Sequence, residues 1–247
     1  MNTTKNFNYK PILDHDLYEE AIENMLLITS NINLLFCNMF MKETVRLIKS
    51  GLELFEIGYY DAGFYSLRQA IENMNNMLYV TVDKDKKKDW TEKKNFPTNG
   101  RVITALEKMH ENYIKTKEKM PDFFSEYDTL LKKVNKYIHK QGFDTFYSIV
   151  ENKIFYAEQE ELFIKFLKHT ISLSYLLNIV INPIILIVSD AELRMHMRIK
   201  PIEEPLSQTI IDNFLCNIID KIKETTYYKF MKIIFLNKKK SQMLFLG

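Results

Sequence analysis

The chain has 247 residues with a net charge of +2, six glycines, six prolines and two cysteines. So few turn-forming residues favour long helices, and so small a net charge does not by itself indicate a nucleic-acid partner. The cysteines form no CxxC pair or Cys/His cluster, which argues against a structural zinc site and favours a reducing cytoplasm. The first sixteen residues have no apolar core, so no signal peptide is expected.

Three helices are predicted in the N-terminal part of the chain. The apolar pattern predicts a short amphipathic helix over 16–29 and a longer one from about 33 to 57, ended by Gly58. Gly51 can weaken or bend the second helix, and Asp61 can cap the third. The third helix has apolar residues at steps of three and four, which predict a core-facing stripe: Phe64, Leu67, Ile71, Met74 and Leu78.

A charged loop is predicted over 83–101, where seven Lys or Arg and four Asp or Glu show no periodicity. Trp90 is the only tryptophan, and we expect it to dock back onto the fold. A helix over 101–119 follows.

The next helix is predicted over 122–141, with Pro121 in its first turn and Gly142 at its end. After an irregular segment, a long helix begins near Glu158 and runs into the apolar stretch 171–188.

That apolar stretch is nearly long enough to cross a bilayer, but two asparagines and Pro183 interrupt it. We therefore predict a buried core helix kinked at Pro183 and no stable membrane insertion; a membrane-associated effector is the alternative.

A final helix is predicted over 207–236. No strand pattern is present, so the fold class is all-α, a helical bundle forming a single domain over 1–247.

The segment "KKVNKYIHKQGF" (132–143) holds four lysines, one asparagine, one histidine and no acid. Helical spacing puts Lys132, Asn135 or Lys136, and His139 on one face, with Lys133 and Lys140 to the side. The buried side of the helix is predicted to carry Leu131, Val134 and Ile138, with Tyr137 at its margin. This part of the helix is thus predicted to have an apolar side that is buried and a basic side opposite to it.

These residue types suit RNA cleavage. RNA carries its own nucleophile, the 2′-OH, so an enzyme must move a proton and stabilise charge on the phosphorane. A histidine can move the proton, and a fixed cation or amide can stabilise the charge on the phosphorane. The alternative is that His139 is a surface or interface histidine on a lysine-rich face. His15, His110, His169 and His196 are weaker candidates.

Two stretches together resemble the HEPN superfamily of helical nucleotide-binding and RNase domains. They are "LIKSGLELFEIGYYDAGFYSLRQAIENM" (47–74) and "NKYIHKQGF" (135–143), separated by a charged loop and a helix. The family signature is an arginine, four to six residues, then a histidine, often with a polar residue directly after the arginine. "NKYIH" matches the asparagine and histidine as Asn135 and His139, whereas Val134 stands where the arginine belongs. Lys132 and Lys133 supply charge within the family's spacing, although lysine lacks the two-pronged guanidinium.

The resemblance covers about 40–190 and implies a HEPN-like core, with a C-terminal helical extension over 191–247. It implies a metal-independent endoribonuclease without cofactor, of the kind found as toxins or anti-phage effectors. It also implies a homodimer, with His139 near the two-fold axis. RNA is the implied substrate, and a regulatory or antitoxin protein is a further partner. A non-catalytic binding or dimerisation module is the alternative.

The resemblance gives each candidate residue a role. His139, Asn135, Lys133 and Lys132 would be catalytic, and Lys136 and Lys140 would bind substrate. Arg68 and Glu72 could supply what the signature lacks; the alternative is a simple salt bridge at i, i+4 helix spacing.

Overall fold

The computed structural model describes residues 9–29, 35–82, 84–94, 96–142, 145 and 153–181. This part of the chain holds eight α-helices and no β-strand, which confirms the all-α class. The helices are α1 (His15–Thr29), α2 (Leu35–Glu56), α3 (Tyr60–Val82), α4 (Lys84–Thr91), α5 (Asn99–Met109), α6 (Glu111–Lys119), α7 (Pro121–Ile138) and α8 (Lys153–Ile181).

Helices α2 and α3 form a tight antiparallel hairpin because two glycines meet where they cross. A Cβ atom on Gly63 would lie 2.9 Å from the Gly51 carbonyl oxygen, and one on Gly51 would lie 2.9 Å from a methyl carbon of Leu67. Gly51 therefore allows a close backbone approach, and α2 continues as one helix through it. Gly58, with φ +95°, follows the end of α2 at Glu56 closely, as predicted for the residue that ends this helix.

An aromatic cluster joins four helices in the core. The ring of Phe163 on α8 stacks on Phe55 of α2, with ring centroids 3.9 Å apart, and meets Phe64 of α3 at 5.5 Å. Phe64 in turn stacks on Tyr137 of α7 at 5.8 Å. Burial of such large rings stabilises the fold, and here it sets α7 against α3.

The predicted apolar stripe of α3 is confirmed. All five of its side chains are buried: Phe64, Leu67, Ile71, Met74 and Leu78. Asp61, by contrast, lies within the first turn of α3, because the helix begins at Tyr60, and so the predicted N-cap is wrong.

The predicted loop over 83–101 contains helix α4. Its lysines are good helix formers, and Trp90 anchors it by packing against Phe40 of α2 with ring centroids 5.2 Å apart. The docking of Trp90 is thus confirmed, whereas the absence of regular structure is wrong.

The predicted helix over 101–119 is two helices. His110 separates α5 from α6, since its backbone is extended and its Nδ1 accepts a hydrogen bond from the Tyr113 backbone N–H at 3.2 Å. His110 therefore acts as an N-cap, the position at which a side-chain acceptor satisfies a free helix N–H.

Helix α8 begins at Lys153, earlier than the predicted Glu158, and side chains 171–178 are all buried. Within the ranges described, none of the helices is long and apolar enough to span a bilayer. The predicted kink at Pro183 and the helix over 207–236 lie outside those ranges.

Candidate functional site

A polar cluster lies where α3 passes the C-terminal end of α7. On α3, Arg68 donates a hydrogen bond from Nε to Oε1 of Glu72 at 2.8 Å, one turn along the same helix. Both side chains are mostly shielded from solvent. The salt bridge at i, i+4 spacing is therefore present.

The same guanidinium also reaches α7. Its Nη1 donates to Oδ1 of Asn135 at 3.2 Å and lies 3.3 Å from Nε2 of His139. Because a guanidinium can only donate, this contact is a hydrogen bond in the tautomer whose Nε2 is the acceptor and whose ring proton is on Nδ1. Arg68 thus connects the two residues that the sequence pattern paired, and we call Arg68, Glu72, Asn135 and His139 the arginine cluster.

Glu72 is held on both carboxylate oxygens. Oε1 accepts from Arg68, and Oε2 accepts from Nε2 of Gln69 at 2.8 Å. Behind the cluster, burial raises the pKa of the fully enclosed Tyr127, and the nearby Glu72 carboxylate raises it further. The carboxylate therefore has a defined orientation, with its charge directed at the guanidinium.

His139 owes its position to the end of α7. It is the C-cap residue, and its backbone N–H donates to the Asn135 carbonyl at 2.9 Å. The side chain is exposed to solvent. The helix stops here rather than at Gly142, because Lys140 adopts a left-handed backbone with φ 52°.

The predicted lysines fall into three different settings. Lys132 and Lys136 are exposed, and helical spacing puts both on the side of α7 that carries His139. Lys133 is also exposed, and it lies close enough to α8 to add to the effect of Lys165 in lowering the pKa of Glu161. Lys140, predicted to bind substrate, instead forms an ion pair with Asp61.

Three polar or aromatic neighbours of the cluster were not predicted from the sequence. They are Gln69, which orients Glu72; Asp61, which pairs with Lys140; and Tyr65, which lies one turn before Arg68 with half of its surface exposed. Spacing along α3 could have revealed them, because positions 61, 65, 68, 69 and 72 recur on one helix face.

The other histidines of the described ranges have structural contacts. Nδ1 of His15 lies 2.7 Å from the buried carboxylate of Glu56, His110 caps α6, and His169 stacks on Phe123. His196 lies outside the described ranges.

Comparison of the whole chain with protein-family models, with curated proteins and with solved structures gives no match. The arginine cluster and the quoted stretches of sequence are therefore the grounds on which a function can be argued.

Proposed function

We propose that this chain is an endoribonuclease of the HEPN type, in which Arg68 takes the role of the arginine missing from the α7 signature. The observation that supports it is the contact of one guanidinium with both Asn135 and His139. An arginine can perform this role from a neighbouring helix, because its interaction with a phosphate depends on where the guanidinium lies in space and not on its position in the sequence.

The proposed reaction is attack of the 2′-oxygen on the adjacent phosphorus. Nε2 of His139, the ring nitrogen that lies beside Arg68, takes the proton of the 2′-OH. The new 2′-O–P bond forms, the P–O5′ bond breaks, and the products end in a 2′,3′-cyclic phosphate and a 5′-hydroxyl. In the homodimer that the resemblance implies, a second copy of the site would supply the proton for the leaving oxygen.

Arg68 is suited to the charge that develops on the phosphorane. Its Nε and Nη1 are engaged within the cluster, and no partner of its Nη2 occurs among the described residues. Two N–H donors are thus available to a phosphate oxygen, and a donor already oriented costs little reorganisation during the reaction.

The surroundings of the cluster favour a single-stranded substrate. Lys132 and Lys136 supply positive charge for the phosphates, and the exposed ring of Tyr65 offers a surface on which an unpaired base can stack. An unpaired strand also leaves the 2′-OH free to align with the scissile phosphate.

A non-catalytic RNA-binding module is the second candidate, and the Glu72 carboxylate favours it. That carboxylate already neutralises Arg68 and would repel a phosphate from the cluster, whereas the exposed Lys132 and Lys136 would still bind the phosphates of an RNA. Such a module would bind RNA without cutting it.

The test is incubation of the purified protein with RNA in EDTA, comparing the wild type with His139→Ala. The control His110→Asn removes another histidine but keeps a side-chain acceptor at the N-cap of α6. We expect the wild type and the control to cut and leave a cyclic or 3′-phosphate end, while His139→Ala loses about 10²–10⁴ in rate. Cutting by His139→Ala at the wild-type rate, or a requirement for Mg²⁺, would refute the proposal. RNA binding without any cutting would favour the second candidate.

The resemblance also suggests a role as a toxin or an anti-phage effector. In that role, induced expression of the wild-type protein in bacteria should arrest growth, whereas expression of His139→Ala should not. An antitoxin partner should be recoverable with the His139→Ala protein, which the cell tolerates.

A further inference from the structure

Lys140 has an unusual backbone for a lysine. Its N–H donates to the Tyr137 carbonyl at 3.4 Å, and the next N–H, from Gln141, donates to the Lys136 carbonyl at 2.8 Å. These two hydrogen bonds define a helix end in which the left-handed residue is usually glycine, since a side chain there costs free energy. The presence of a lysine with φ 52° therefore calls for a compensating contact.

The side chain of Lys140 provides such a contact. Its ammonium forms an ion pair with Oδ2 of Asp61 and donates to the Thr145 carbonyl at 3.1 Å. Asp61 lies in the first turn of α3, seven residues or about 10 Å of helix before Arg68. The C-terminal end of α7 is thus fastened to α3 at two separate points, one through Arg68 and one through Asp61.

We propose that Asp61 and Lys140 are positioning residues, which hold the last turn of α7 against α3 so that Nε2 of His139 stays beside Arg68. This inference rests on the proposed function, in which His139 moves the proton. Both side chains are about one-third exposed, and ion pairs of that kind contribute little to global stability. The main effect of the pair is therefore on the position of His139, the residue next to Lys140 in the chain.

The sharpest variant is Lys140→Gly. Glycine relieves the left-handed backbone, so the melting temperature should stay the same or rise. The ion pair is lost, however, and an error of about 1 Å in placing a catalytic group can lower the rate about 100-fold. If Lys140 had only a structural role, Lys140→Gly would instead be at least as active as the wild type.

The experiment measures kcat and KM for cleavage of a single-stranded RNA oligonucleotide. We expect Lys140→Gly and Asp61→Asn to lower kcat by about 10-fold or more, with KM changed by less than about 3-fold. Lys140→Arg keeps the ion pair and should stay within about 3-fold of the wild type. The control Lys115→Gln breaks a different lysine–carboxylate ion pair, with Glu111 on α6, and should change neither constant. Wild-type kcat in Lys140→Gly, or equal losses in Lys140→Gly and Lys140→Arg, would overturn the inference.

A second readout separates this inference from the proposed function. The imidazole NMR signals of His139 can be assigned by their absence from His139→Ala. Under the positioning role they shift and broaden in Lys140→Gly and Asp61→Asn and stay unchanged in Lys115→Gln. If the wild type cuts no RNA, the proposed function fails and these signals alone decide the positioning role; unchanged signals in all variants would overturn it.

Discussion

Arg68 and His139 are 71 residues apart in the chain, yet Nη1 of the first lies 3.3 Å from Nε2 of the second. The contact exists because Phe64 of α3 stacks on Tyr137 of α7, which brings the polar edges of these helices together. The guanidinium and the imidazole thus come from different helices and meet through core packing.

Replacement of Arg68 tests whether its charge serves the reaction. We expect Arg68→Ala to lower kcat/KM for RNA cleavage by about 10²–10³-fold, the loss typical for one oriented donor to a developing charge. Arg68→Lys should recover only a small part, because an ammonium lacks the forked donors. Arg46→Ala removes an arginine from an exposed ion pair with Glu43 on α2 and serves as the control. Equal activity of Arg68→Ala and Arg46→Ala would contradict the assignment.

The lysines of α7 should differ in their effect on RNA binding. We expect Lys132→Ala to weaken binding and to reduce the slope of log K against log salt by about 0.7, the value for one phosphate contact on a single strand. Lys133→Ala makes the same change of charge one residue away, but the charge of Lys133 also acts on Glu161 of α8, so its effect on RNA binding should be smaller. Titration of a fluorescent RNA at several salt concentrations measures both. Identical slopes for the two variants would mean that only overall charge matters.

Tyr65 should discriminate single strands from duplexes. Stacking of one base on an aromatic ring contributes about 1–3 kcal/mol, so Tyr65→Ala should weaken the binding of single-stranded RNA by about 5- to 150-fold. Tyr65→Phe keeps the ring and should bind like the wild type. The measurement is equilibrium binding in the His139→Ala background, where no substrate is consumed. Duplex RNA should bind equally to all three proteins, and a loss in Tyr65→Phe would rule out stacking as the cause.

The glycine crossing of α2 and α3 predicts a difference in stability. Gly63→Ala forces a methyl group to within 2.9 Å of the Gly51 carbonyl oxygen, so we expect the free energy of unfolding to fall by about 1–3 kcal/mol. Gly100→Ala near the start of α5 meets no atom within 4 Å and should be neutral or raise stability by about 0.4–1 kcal/mol. Urea unfolding followed by circular dichroism compares them. A Gly63→Ala protein as stable as the control would show that the two helices can move apart freely.

A buried histidine, His169, and a half-buried one, His110, predict a loss of stability in mild acid. Burial lowers the pKa of His110 and of His169, and for His169 this outweighs the opposing effect of Glu126. Below about pH 6.5 the unfolded chain takes up protons at these rings while the folded chain does so only at lower pH. The unfolded state then binds more protons, so stability present above pH 6.5 falls as the pH drops, by at most about 1.4 kcal/mol per pH unit for each proton.

Thermal unfolding between pH 7.5 and 5 measures that slope. His169→Phe keeps a ring against Phe123, and His110→Asn keeps the cap of α6, so each should flatten the slope without unfolding the protein at neutral pH. An unchanged slope in the double variant would assign the acid sensitivity to other groups.

The fold and the site differ in how far they could be predicted. The stripe of α3 and the pairing of Asn135 with His139 follow from helical periodicity, which is local. The break at His110 was not predicted because a histidine is an uncommon N-cap. Helix α4 was not predicted because its many charged residues show no apolar periodicity, although its lysines favour a helix. The partner of Arg68 on α7 could not be chosen from spacing alone, since that contact depends on how two distant helices pack.

The terminal turn of α7 has a consequence for control of the protein. A site whose halves meet only through docking of one helix end can be silenced by loosening that end, without covering the site or denaturing the molecule. Opening a single turn requires far less free energy than global unfolding, so a modest ligand or a short peptide has enough binding energy to do so. Under the proposed function, an inhibitor of cleavage therefore need not resemble RNA; it can instead compete with α3 for the end of α7.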